Sequence, residues 1–153
     1  MKKPLILVGA IGIVAFGLIT ILQRQSPEAA GSRSDAADPE KQRITRFWTR
    51  YNQANTDRTS GNFEAAVTGF RESLTLDPRH EDSLYNLGTS LAELGQYQEA
   101  VKTFQRLIEV NPGSNRGYSE LGNTLALLAP GALLDFDAAQ SAFERSMEIN
   151  REQ

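Results

Sequence analysis

The sequence predicts an all-α fold, a single membrane-spanning helix followed by repeated helix-turn-helix units, and three observations predict it. Residues Leu5 to Leu22 form a run of eighteen without a charge. From Gly61 onward, a set of glycine, aromatic, alanine and proline positions recurs 34 residues later, a period that marks stacked helical hairpins. Between the two lies a stretch holding, prolines aside, no apolar residue larger than alanine. With 153 residues, 40% of them apolar and 23% charged, the chain can bury a sizeable core and is not wholly disordered.

The first element is the apolar run. As a helix it spans about 27 Å at 1.5 Å per residue, just enough to cross a bilayer's hydrocarbon. Pro4 sits at its start, where a missing N–H costs nothing, and the Thr20 hydroxyl can bond back to its own backbone. A cleaved signal peptide is the competing reading, but its apolar stretch is usually about 7 to 15 residues and a small-residue cleavage site follows closely. Ala30-Gly31-Ser32 fits such a site loosely and lies far downstream. Lys2, Lys3 and the terminal amine crowd one end, whereas Arg24, Arg33 and Lys41 are strung out beyond the other. The positive-inside rule therefore expects a single-pass protein of the cell (inner) membrane, with its N-terminus cytoplasmic and the rest in a periplasm or equivalent space. Gly9, Gly12 and Ala15 place small residues at three-residue spacing, which lets a partner helix approach.

The second element, residues 23–40, is a tether. Ser26-Pro27, Gly31-Ser32, Ser34 and Asp38-Pro39 cannot repay their ordering entropy, so the segment is expected to be flexible, with an r.m.s. span of roughly 24 Å.

The third element, residues 41–153, carries the repeat. Gly61, Phe63, Ala66, Phe70 and Pro78 are matched 34 residues later by Gly95, Tyr97, Ala100, Phe104 and Pro112; Leu84, Leu87-Gly88 and Leu91 are matched by Tyr118, Leu121-Gly122 and Leu125. Leu84, Leu87 and Leu91 recur on one helical face. Gly88 and Ala100 are small where two helices approach, Gly95 ends a helix, and Tyr97 and Phe104 fill the space between paired helices. Pro112, after Asn111, stops the second helix. This pattern resembles the tetratricopeptide repeat, a helix-turn-helix unit that stacks into a right-handed α-solenoid. The resemblance implies three units, about 41–78, 79–112 and 113–153.

The outer units depart from the pattern. In the first, Arg50 and Gln53 hold aligned core places, and the apolar stripe is Ile44, Phe47, Trp48, Tyr51 and Ala54. That predicts a helix beginning early, near Pro39 to Lys41, in a shifted register. In the third, Phe104 recurs as Phe143, 39 residues on, so five residues are inserted around Ala129 to Leu134. Leu133 and Leu134 then stand in or beside the loop, either folded back on the core or offered to a partner. The sequence stops at Gln153, directly after the third unit's second helix, without the polar capping helix that solenoid ends normally carry. Either a partner covers that end, or the helix is polar enough alone through the partial cap of Glu144, Arg145, Glu148 and Arg151, or the natural protein continues further.

Members of the resembled family bind peptides or partner proteins in a groove lined by the first helix of each unit. By position, that groove would present Trp48, Tyr51, Asn55 and Arg58; then Asp82, Tyr85, Asn86, Thr89 and Glu93; then Arg116, Ser119, Glu120 and Asn123. In the co-chaperone branch, a Lys/Asn/Asn/Lys/Arg clamp grips a terminal carboxylate. Asn55, Asn86 and Arg116 fill three of those places, but Tyr51 replaces the first lysine and Glu120 the last arginine, which argues against a chaperone-tail receptor.

Charge is uneven. Lys41, Arg43, Arg46, Arg50 and Arg58 face only Asp57 in residues 41–58, a net +4, whereas residues 59–153 hold seven basic and fourteen acidic side chains, a net −7. Arg43, Arg46 and Arg50 share a helical face that suits lipid headgroups or an acidic partner, or is simply solvated. The overall charge of −3 gives no field for nucleic acid. Zero cysteines exclude disulfides and thiolate-bound metal. His80, the one histidine, lies in an inter-unit turn without a nucleophile or ligand cluster at useful spacing, and no phosphate loop, HExxH or GxSxG occurs. The chain is therefore expected to be no enzyme, with no cofactor, metal or small-molecule substrate. It is expected instead to be a membrane-anchored protein-protein interaction scaffold, as an assembly factor or accessory subunit of a membrane complex. The alternative is a structural subunit held mainly through its transmembrane helix.

Overall fold

The computed structural model describes residues 38–127 and 131–152. The repeat lies in a compact unit of residues 40–153. The apolar run 5–22, the tether as far as residue 37, residues 128–130 and Gln153 lie outside the described residues. Among the described residues, no helix is long and apolar enough to cross a membrane.

Among these residues there are six helices: α1 (Pro39–Thr59), α2 (Phe63–Leu76), α3 (Glu81–Glu93), α4 (Tyr97–Val110), α5 (Asn115–Ala126) and α6 (Phe136–Glu152). From α3 to α6 each packs against the one before it, α2 meets α1 where the Tyr51 and Phe70 rings lie 6.0 Å apart, and α3 also touches α5, so the first helices of the second and third units adjoin. The result is the all-α solenoid expected from the 34-residue period.

The repeated residues make repeated joints. After α3 the chain turns through Gly95 at φ +71, with the Gly95 N–H donating to the Ala92 carbonyl and the Gln96 N–H to the Leu91 carbonyl, each at 2.9 Å. This is the glycine-ended helix stop. Gly61 repeats it at φ +79, with the Asn62 N–H donating to the Asp57 carbonyl. At the other turn, Asp77 and Asn111 adopt the same extended conformation, and their side-chain oxygens accept from the Arg79 and Gly113 N–H groups at 3.1 and 3.0 Å. Each thereby closes a turn around the proline that follows it.

Phe70, Phe104, Leu84 and Leu107 are fully buried, each stabilising the stack by about 1.5 to 3 kcal/mol relative to exposure. Phe104 and Phe143 lie so close to the facing helix that a Cβ on Gly88 or Gly122 would come within 2.5–2.9 Å and 2.7–2.9 Å of their rings, respectively. Ser73 and Ser83, buried where α2 meets α3, bond to each other at 3.0 Å.

Helix α1 starts early, at Pro39, as its stripe predicts. The register is not shifted, however. Tyr51 and Ala54 stand 34 residues before Tyr85 and Gly88, and Ala54 is fully buried, within 2.7 Å of where a Gly69 Cβ would lie. Arg50 and Gln53 are tolerated because both stand exposed on α1, unlike the leucines at the matching places of α3. Arg50 reaches Glu72 at 3.1 Å and Gln53 reaches Asp57 at 3.3 Å. In the stripe, Phe47 is buried, whereas Ile44 and Trp48 are exposed.

The five-residue insertion lies between α5 and α6. Asp135 ends it, its N–H donating to the Leu125 carbonyl at 3.0 Å and its carboxylate accepting from the Ala138 N–H at 3.0 Å to cap α6. Leu133, Leu134 and Phe136 are exposed rather than folded onto the core.

Candidate functional site

The first helices α1, α3 and α5 exchange side chains across one face. Residues 34 or 35 apart meet in rows on it. In one row, Arg116 of α5 forms an ion pair with Asp82 of α3 and also lies over the Tyr85 ring, 4.7 Å from its centre. In the next, Tyr51 lies beside Asn86 of α3 and within the fields of Asp82, Arg116 and Arg58. The Tyr85 hydroxyl reaches toward Glu120 Oε1 at 3.5 Å, and Asn123 Nδ2 toward Glu120 Oε2 at 3.4 Å. Arg58 donates to Asn55 Oδ1 at 3.3 Å, while its Nε, out of contact with solvent, has no partner.

Burial pushes both tyrosine hydroxyls above their usual range. The next cause is Asp82 for Tyr51 and Glu120 for Tyr85, and arginines 58 and 116 oppose it at both. Three helices thus bring two aromatic rings, two guanidinium groups, two carboxylates and several amides onto one half-buried surface, which suits an extended peptide more than a reaction. Among the described residues, no group of three His, Asp or Glu side chains is placed to hold a metal.

The side chains expected in the groove do not all meet there. Asn86 is 7% exposed, so it is a buried support for Tyr51 rather than a free contact, because α3 is packed on both sides. Thr89 turns its hydroxyl back onto the Asn86 carbonyl at 3.1 Å. Ser119 is drawn toward α6, where it bonds to Ser146 at 2.8 Å and to Asn115 at 3.2 Å. Glu93, at the end of α3, is exposed to solvent.

Trp48 stands at the rim, edge-on to Tyr51 at 5.8 Å, in a second cluster with Phe47 and His80. Together with Arg43, Ile44 and Asp77, these residues line a slot of about 130 Å³. His80 is half-buried. Its Nδ1 accepts from the Ser83 N–H at 3.1 Å, capping α3, and its ring packs 4.7 Å from that of Phe47. No spacing rule names histidine as a cap, although its place one residue before Glu81-Asp82 is a legible hint.

The basic face is weaker than its sequence suggests. Hydrogen bonds from Arg43, at 2.7 and 2.8 Å, hold the Glu40 carboxyl below its usual range, and Arg43 also donates to the Leu76 carbonyl. Arg50 is paired with Glu72, and Arg46 meets the Gln42 carbonyl at 3.4 Å.

The sequence profile of the tetratricopeptide repeat matches residues 51–128, about half the chain and the part that builds this face. The chain belongs to the tetratricopeptide repeat family. It is 26% identical over 98 residues to the Hsp70-Hsp90 organizing protein of Triticum aestivum, covering 64% of this chain and 16% of that one. To the heat-shock protein cognate co-chaperone sgt12 of Aspergillus fumigatus it is 23% identical over 126 residues, covering 82% and 34%. This chain therefore spans about a third or less of the length of these curated relatives. In fold it is similar to MamA (TM-score 0.62, 23% identity, 69% of this chain and 59% of that one). It is also similar to the second tetratricopeptide domain of Spaghetti bound to the HSP90 peptide SRMEEVD (TM-score 0.63, 14% identity, 72% and 96%).

The tetratricopeptide stack makes this chain a protein-protein interaction module. Its clamp places differ from the co-chaperone pattern as read from the sequence. Tyr51 stacks among aromatic rings, and Glu120 faces Tyr85 and Asn123.

Proposed function

We propose that this protein is a membrane-anchored docking scaffold whose tetratricopeptide face holds an extended peptide segment of a partner in a membrane complex, as an assembly factor or accessory subunit. The observation that carries the proposal is the convergence of Tyr51, Tyr85, Arg58 and Arg116 on the face shared by α1, α3 and α5, with Trp48 half-exposed at its rim. Half-buried aromatic and arginine side chains are the residues that most often dominate binding energy, and here they are held by neighbours before any ligand arrives. The anchor rests on the uncharged run from Leu5 to Leu22, and an extracytoplasmic position for the domain rests on Lys2 and Lys3.

The test is copurification from gently solubilised membranes, using the full chain. Trp48→Ala with Tyr85→Ala should lose the partner yet melt within a few degrees of the parent, since neither side chain is fully buried. Leu87→Ala should lower the melting temperature, because truncating a buried leucine costs about 2 to 5 kcal/mol. If the double variant keeps its partner while changes at Leu133 and Leu134, or at Arg46, release it, the interaction belongs to the inserted loop or the basic helix.

A further inference from the structure

Two acidic side chains stand on the binding face, and they are not equivalent. The Asp82 carboxylate is neutralised by Arg116. Arg116, four residues before Glu120 on the same helix, is turned away to that pair and to the Tyr85 ring, so it does not form an ion pair with Glu120. Glu120 has instead two neutral neighbours at the outer edge of hydrogen-bond reach, the Tyr85 hydroxyl at 3.5 Å and Asn123 Nδ2 at 3.4 Å. Among the described residues, no cation is paired with it, although it is half-buried beside the ring that Arg116 covers.

A half-buried carboxylate without a counter-ion draws a positive charge and repels a negative one, and low dielectric sharpens both effects. The surrounding chain adds to this, since residues 59–153 carry a net −7. We infer that the peptide bound on this face presents a lysine or arginine side chain to Glu120, and that acidic tails are excluded there. The inference rests on the peptide-binding function proposed for this face and adds the chemistry of the ligand.

The experiment uses the immobilised full chain and degenerate heptapeptide libraries in which each position in turn is fixed as lysine, glutamate or leucine, with bound peptides counted by mass spectrometry. At one position lysine should be enriched over glutamate by about tenfold, the size expected when a modest ion pair is exchanged for a like-charge contact. The enrichment should shrink as salt is raised. Glu120→Gln should abolish the lysine preference, and Glu120→Arg should reverse it toward glutamate. Both variants should retain the parent's helical circular dichroism, Glu120 being only half-buried. Enrichment of glutamate by the parent, no charge preference at any position, or a lysine preference that survives Glu120→Gln would overturn the inference while leaving peptide binding intact. If no library binds the parent, the peptide-binding function falls and the inference falls with it.

Discussion

Tyr85 joins the two halves of the binding face: its ring lies under Arg116 and its hydroxyl faces Glu120. Burial first, and Glu120 second, raise the point at which that hydroxyl ionises; for Tyr51 burial leads and Asp82 follows. Because the folded state holds these protons more tightly than the unfolded chain, the stability involved is fully present below the ordinary tyrosine range, near pH 10. It is lost as pH rises through the raised folded values. Tyrosinate absorbance in an alkaline titration should therefore contain late components that Tyr51→Phe and Tyr85→Phe each remove. Glu120→Gln should move the Tyr85 component to lower pH, and an unmoved component would show that the two groups are not neighbours. At this scale the sequence is only half legible. Spacing puts Asn86 and Ser119 on the correct helices, but depth depends on what packs from both sides. Asn86 is sunk against Tyr51, while Ser119 is captured by Ser146, a residue of the following helix.

Elements are more legible, because their signals are local. Gly95 and Gly88 both carry their roles in the sequence, for different reasons: one permits a left-handed turn, the other permits two helices to touch. Gly95→Ala places a Cβ no closer than 3.9 Å to the Tyr97 hydroxyl, its nearest neighbour, so its cost is the backbone conformation, about 1 kcal/mol. Gly88→Ala drives a Cβ to 2.5 Å from a Phe104 ring that is itself fully buried and has nowhere to go, an overpacking that costs about 1 to 3 kcal/mol. Thermal melts of the full chain followed by circular dichroism should place Gly88→Ala below Gly95→Ala, and Gly88→Ala with Phe104→Leu should recover part of the loss. The opposite order would mean that α3 and α4 separate easily. Helix α1 misleads because its sequence invites comparison with an inner helix. Arg50 and Gln53 look like a shifted register only if these places are assumed to be buried as they are in α3; both are exposed, and a charge paired with Glu72 is comfortable there.

For the whole molecule, the 34-residue period is enough to announce the solenoid, since the first two units repeat the same joints at the same spacing and the third departs by the five residues inserted before α6. The crossing of side chains between units is not legible, because it depends on residues about 34 positions apart meeting in a particular orientation. Topology turns on few charges. Lys2, Lys3 and the terminal amine oppose Arg24, Arg33 and Lys41, and the last three are diluted by Glu28, Asp35 and Asp38, which the positive-inside rule largely ignores. If the anchor is retained and the amine end stays inside, a reporter that functions only outside the cytoplasm, fused after Gln153, should be active. Mass spectrometry of the same protein should then find Met1 to Leu22 intact. Moving the bias should invert the outcome: Lys2→Gln with Lys3→Gln leaves Arg24, Arg33 and Lys41 dominant, so part of the population should turn over and reporter activity should fall. An active reporter on a protein beginning near Ser32 would instead mean a cleaved signal and no anchor. An inactive reporter on intact protein would put the binding face, and the basic side chain proposed to meet Glu120, on the cytoplasmic side.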